Sequence, residues 1–484
     1  MALLGAQLVI TLVMVSIIQK IGKHYSLARG LICSTGLIRY LYPTDDELRS
    51  LAGVIKEKQK GKKDRKYHEN GVSANSTFHV PRNLDFQLES AKVSFLDVVH
   101  LRYYTEYQWL LDFSFYSFLV YLVSEIYTYF FPLVDEFNLS MLWCFLVILS
   151  SMKMLLYLTL EYFKADESIG ERSTVIVTFF SYLIVAMAIL LVDEKTLESG
   201  LETAYNSFNA SAHTFLEKNG LNSEGPASKL FLKFIVAVWC ALIGSFFTFP
   251  GLRLARMHWD SLRYCESRIL LKIALNISFA SPFVLVLLWV TPLSRHYLTK
   301  RIFSGFEEPL LSEDAFETIR LWLLVVTSLL RIILIPQYLQ AYLNIAYMRV
   351  AEMKKEAGRI TNKELQKKIA AVFYYMCVVA LQYLIPVFLC LFYAFMYKTL
   401  GEFSWIGKPD TECMAPDHTE PLNMGDSVLA SAQEFSLALN SLKQVMTKDV
   451  ARGLFGFATW WTCFAMFASS SIGLLYQTYF RNVA

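Results

Sequence analysis

The run Trp109–Phe131, WLLDFSFYSFLVYLVSEIYTYFF, turns through Pro132–Asn138, PLVDEFN, and returns as Leu139–Phe163, LSMLWCFLVILSSMKMLLYLTLEYF. Each apolar run is near the ~20 residues that cross a bilayer core as a helix, and only helices and closed barrels satisfy their backbone there. Apolar runs of this kind recur along the chain: Ala2–Ile18, Ser173–Val192, Leu230–Pro250, Ile269–Val290, Leu321–Pro336, Ala371–Tyr397 and Leu454–Tyr476. With the opening pair they make nine. The expected fold is an all-α, polytopic membrane bundle of about nine spans with added amphipathic surface helices.

Composition agrees: 55% of the 484 residues are hydrophobic and 15% aromatic, gathered in runs rather than spread at a helical or strand period. One membrane domain is the simpler division, with residues 1–18 as the first span, 19–108 as a basic cytosolic loop and 109–484 as eight further spans. Segments 193–229 and 398–453 are its long extracytosolic loops. A formal charge of +3 gives no ground for nucleic-acid binding.

Lysine and arginine set the orientation. Gln19–Gln108 carries fifteen, including Lys56, Lys58, Lys60, Lys62, Lys63, Arg65 and Lys66, whereas Pro132–Asn138 has none and is acidic at Asp135 and Glu136. The basic loop belongs in the cytosol, with Arg253, Arg256, Arg263 and Arg268 and the seven basic residues from Arg349 to Lys368 on the same side. That puts the N-terminus outside and the C-terminus in the cytosol. A cleaved leader fits poorly, since no basic residue precedes the first apolar run while Lys20, Lys23 and Arg29 follow it.

Cys144, Cys240, Cys377, Cys390 and Cys463 fall within spans and only Cys413 is extracytosolic, so no intrachain lumenal disulfide is expected. Of the sequons at Asn75, Asn138, Asn209 and Asn276, only Asn209 is accessible for glycosylation in this topology.

The connecting segments carry helical signals. Thr44 and Glu47 have capping-box spacing. After a break at Pro250-Gly251, Leu252, Ala255, Trp259 and Leu262 share one helical face and Arg253, Arg256 and Arg263 another, which predicts a helix along the membrane surface. Leu197, Leu201, Ala204 and Phe208, and Val428, Ala432, Phe435, Leu439, Leu442 and Met446, read as amphipathic helices that pack on the bundle. The basic run is suited to anionic lipid headgroups.

Polar groups inside spans are expensive in hydrocarbon and are the place to look for mechanism. The candidates are Asp112, Glu125, Lys153 and Arg331, with Asn276 and Gln382 beside prolines; Glu161 lies near a span end. Lys153, fourteen residues into its span, is expected to pair with Glu125 or Asp112. Pro282 frees the carbonyl of Ser278, and Pro386 that of Gln382. Hydrolase elbows, zinc-protease signatures and phosphate loops are absent. An acidic patch at Asp410, Glu412, Asp417 and His418 reads as solvated loop rather than a metal site. No catalytic, cofactor or metal role is expected.

The strings EYQW (Glu106–Trp109), GERS (Gly170–Ser173), TFPGLRLA (Thr248–Ala255), LQAYLN (Leu339–Asn344), KKEAGRI (Lys354–Ile360) and ALQY (Ala380–Tyr383) resemble those of the transmembrane protein 161 family. The likeness runs from HYSLAR (His24–Arg29) to TWW (Thr459–Trp461) and is weakest after Lys56 and from Pro409 to Asn423. The resemblance implies a non-enzymatic membrane protein associated with calcium and potassium currents, heart rhythm, neural excitability and protection from oxidative stress. It brings no agreed binding residues. The leading expectation is a modulator that acts through ion channels or pumps. The alternative is a channel or transporter whose polar path runs near Lys153.

Overall fold

The structure is a computed structural model. It describes residues 6–22, 24–44, 47, 48, 50, 88–131, 138–164, 169–218, 228–265, 268–302, 309–355, 361–406 and 446–481. The basic run after Lys56, the sequon at Asn75, Cys413, the acidic patch at 410–418 and nearly all of the expected helix from Val428 lie outside these residues.

In chain order the elements are α1 (Ala6–Ile21), α2 (Leu27–Arg29), β1 (Ile38–Tyr40), β2 (Ser90–Lys92), α3 (Phe95–Val98), α4 (Tyr104–Phe130), α5 (Ser140–Lys164), α6 (Ile169–Leu190) and α7 (Leu201–Lys218). They continue as α8 (Lys229–Tyr264), α9 (Ile269–Leu287), α10 (Glu313–Ile333), α11 (Ile335–Leu343), α12 (Ile345–Lys355), α13 (Asn362–Tyr374), α14 (Met376–Leu400) and α15 (Lys448–Arg481). The chain divides into two units, one of Met1–Ser26, Trp109–Leu334 and Leu381–Ala484, the other of Leu27–Gln108 and Ile335–Ala380. Part of the stretch read as a cytosolic loop thus folds with residues from much later in the chain.

The larger unit is helical. Among the described residues seven helical stretches are long and apolar enough to cross a membrane: α4, α5, α6, α8, α9, the run Glu313–Val350 and the run Asn362–Leu400. The count of nine is not confirmed among the described residues. The apolar helix described within α1, Val9–Ile18, covers about 15 Å at 1.5 Å per residue, and the start of the expected first span lies outside the described residues. Helix α15 has length to spare, but Thr459, Thr462, Ser469 and Ser470 dilute its apolarity and are buried against neighbouring helices.

Two helix boundaries depart from expectation. Pro250 ends nothing: α8 runs through it for 36 residues, and Pro250, Gly251, Leu254 and Ala255 are all buried. The face read as a surface helix is therefore the continuation of the preceding span, packed on α15. Small residues permit that approach, since a Cβ on Gly251 would lie 2.1 Å from Ser469 Oγ and one on Gly473 2.8 Å from the Ala255 Cβ. The eighth run is not one uninterrupted helix, because α13 ends at Tyr374 and α14 starts after a turn at Tyr375. From Met376 to Tyr397 every residue of α14 is buried or nearly so.

Helix α5 separates its faces. Cys144, Val147, Ile148, Ser151, Leu155 and Leu158 are buried, while Leu142, Leu149 and Leu160 are exposed. Helix α7 is the amphipathic element predicted before the fifth span. Its Ala204 touches Gly453, and its Ser207 hydroxyl meets Thr447 Oγ1 at 2.7 Å.

The smaller unit holds a two-stranded antiparallel sheet with Ile38 opposite Lys92 and Tyr40 opposite Ser90. The Gln340 side chain completes the exposed backbone of β1, accepting from Ile38 N at 2.9 Å and donating to Ile38 O at 3.2 Å. A small core gathers Leu48, Ala346, Val350, Leu365, Ile369 and Val372. Helix α13 opens with a capping box between Thr361 and Glu364, and Thr44 and Glu47 make the same exchange. Arg39 pairs with Asp97 at 2.8 Å and lies over the Phe373 ring.

Candidate functional site

The polar side chains of the larger unit fall into separate groups. Arg331, buried on α10, donates through Nε and Nη2 to the Ser278 carbonyl at 3.3 and 3.1 Å, and through Nη1 to the Met466 sulfur at 3.5 Å. Pro282 has no N–H to bond that carbonyl, so the guanidinium takes the place of the missing helical hydrogen bond. Tyr383 donates back to the Arg331 carbonyl at 2.8 Å. No ion pair to Arg331 occurs among the described residues. A small cavity beside it, lined also by Pro250, Gly251, Gln382 and Ser469, has room for about one water.

Gln382 donates to the Tyr162 hydroxyl at 3.2 Å, while its Oε1 has no hydrogen-bond partner among the described residues. Asn276 lies on the exposed side of α9 and hydrogen-bonds the His258 imidazole, which stacks on Phe279 with ring centroids 4.2 Å apart. The Cys390 and Cys463 thiols touch at 3.6 Å.

The expected Lys153 pairing is not formed. Glu125 instead takes Lys398, accepts from Thr399 Oγ1 at 3.0 Å and from Trp405 Nε1 at 3.1 Å, and so ties α4 to the end of α14. Asp112 is half-buried and accepts from the Ser26 hydroxyl at 2.7 Å. Lys153 stands on the exposed face of α5 with its ammonium 5.7 Å from the Tyr157 ring centroid. Helix period is the reason. Ser151, Met154 and Leu155 occupy the inward side, and Lys153 falls on the other. Asn209 sits half-buried on α7.

The most developed ionic cluster was not anticipated. Arg320 is fully buried, pairs with Glu198 at 3.1 Å and with Glu317, donates to the Tyr397 hydroxyl at 2.6 Å, and lies 4.5 Å from the Trp289 ring centroid. Arg295 bridges the same two glutamates, reaching Glu198 at 3.0 Å. Two cations and two anions thus cancel in one contiguous network. The Glu198 backbone is fixed by donation to the Trp289 carbonyl at 2.9 Å, next to a bridge between Leu197 and Val290. The available signal was the i,i+3 spacing of Glu317 and Arg320 on an apolar helix face. Starting the seventh span at Leu321 hid it, because α10 begins at Glu313.

Seven apolar helical stretches among the described residues define an integral, multi-pass α-helical membrane protein. A family model described as predicted transmembrane protein 161AB matches residues 2–481, essentially the whole chain, and the chain belongs to that family. No solved structure matches it.

Proposed function

We propose that this membrane protein is a non-enzymatic modulator of ion handling that works on channels or pumps in its own bilayer, with calcium and potassium currents, excitability and heart rhythm as the processes it serves. Protection from oxidative stress is the second role in this reading. The protein resides in the endoplasmic reticulum or the plasma membrane with its N-terminus outside or lumenal. The basic run from Lys56 holds anionic headgroups on the cytosolic side.

The observation that supports a modulator is the distribution of charge. Arg320, Arg295, Glu317, Glu198, Glu125 and Lys398 close on one another inside the bundle, whereas Lys153 faces away from it. Charge neutralised in this way holds helices together, and charge turned outward is available to another molecule. A conducting path beside Lys153, the alternative reading, would lack walls on the exposed side. The test is to remove the chain from an excitable cell, restore it, and record calcium and potassium currents at matched channel expression. Currents that shift on removal and recover on restoration support the reading. Currents indifferent to both end it.

A further inference from the structure

The exposed face of α5 has an order that lipid alone does not require. Leu142, Leu146, Leu149, Lys153, Leu156 and Leu160 follow one another in alternating steps of four and three. The five leucines are each more than 40% exposed, and Lys153 is exposed with them. This is the apolar seam of a heptad repeat, the surface that packs knobs into holes against a second helix. A single charged residue at one seam position is the device by which such helices fix register and choose a partner.

Depth makes the charge decisive. Lys153 is thirteen residues from Ser140 and eleven from Lys164, so it sits near the middle of α5, about 20 and 17 Å from its ends. The ammonium lies 5.7 Å from the ring centroid of Tyr157, the residue one turn on, and about 10 Å of helix separates Tyr157 from the Lys164 end. The ring offsets only part of the cost of an ammonium in hydrocarbon. A second copy on the same seam would bring two lysines together near mid-helix in either a parallel or an antiparallel pair, so self-pairing is disfavoured.

We infer that this α5 face is a docking surface for a transmembrane helix of another protein, one that presents a leucine-like seam and a single Asp or Glu near its midpoint to meet Lys153. The inference rests on the modulator reading and names the chemistry by which a partner would be held.

The experiment uses the full-length protein, purified, labelled with a donor fluorophore and reconstituted in phosphatidylcholine vesicles. Acceptor-labelled leucine-rich helical peptides are added with one central Glu, one central Lys, or leucine throughout. The Glu peptide should associate at least 10-fold more tightly than the all-leucine peptide. Lys153→Leu should abolish that preference, Lys153→Arg should keep it, and Lys153→Glu should transfer it to the Lys peptide. Leu149→Ala with Leu156→Ala should weaken the Glu peptide without exchanging the preference. Lys153→Leu places an apolar side chain on an exposed apolar face, and Lys153→Arg controls for any loss of fold. Equal association of all three peptides, a Glu preference that survives Lys153→Leu, or Lys153-dependent pairing of two copies would each overturn the inference. The vesicle assay reads the docking face and the cell currents read the modulator role, so one failing leaves the other separately visible.

Discussion

At the scale of single residues, the larger unit depends on arginines whose partners come from distant parts of the chain. Removing Arg320 alone leaves Glu198 and Glu317 facing each other with only Arg295 between them. Loss of one member of a buried ionic network costs about 3–5 kcal/mol. Arg320→Met should therefore lower the melting temperature of the detergent-purified protein far more than Arg320→Met combined with Glu317→Met, and comparison of the two variants checks it. Arg331→Leu should cost about 1–3 kcal/mol through the two bonds lost to the Ser278 carbonyl. Adding Pro282→Ala, which restores a backbone N–H for that carbonyl, should recover part of the loss. In the smaller unit, burial tends to raise the Asp97 pKa, but the Ser94 hydrogen bonds and Arg39 outweigh it and hold the carboxyl below the usual range. A carboxyl depressed in this way stabilises the fold fully above its unfolded value of about 3.9, and the contribution disappears as pH falls through the lower folded value. The stability gap between the parent and Asp97→Asn should be constant near neutrality and close in acid, as read by melting temperature against pH. Sequence identified Arg331 and the Ser278 carbonyl separately without joining them, because they stand 53 positions apart in the chain. It marked Lys153 as unusual and misjudged its direction, since one helical step decides whether a side chain enters the bundle.

At the scale of elements, local signals were legible wherever they act within one turn. The Thr44–Glu47 exchange follows from spacing alone, and α7 was visible in the steps from Leu197 to Phe208. Thr361→Ala should loosen the start of α13 by about 0.5–2 kcal/mol, seen as faster hydrogen exchange over its first turn. Pro250-Gly251 shows where local reasoning fails. Proline disfavours a continuous helix, yet burial of both residues against α15 keeps α8 intact, and tertiary contact decides the boundary. Gly251→Val should consequently disturb the crossing of α8 with α15 and lower the yield of monodisperse protein, since even a Cβ there overlaps Ser469.

At the scale of the whole molecule, the membrane class followed from the spacing of apolar runs, while the division into two units was hidden because residues 27–108 and 335–380 are joined only by folding. The charge bias of the loops also predicts that Asn209 carries a glycan. A mobility shift on enzymatic deglycosylation that Asn209→Gln removes would establish the orientation, and an unshifted parent would remove this support for it. In the proposed role the bundle acts on other ion-conducting proteins rather than conducting. The most direct test of that role is potential-driven calcium and potassium flux through the purified, folded protein alone in liposomes. Flux should be no greater than that of empty vesicles. A potential-driven flux that a folded variant of a buried polar residue alters would contradict it.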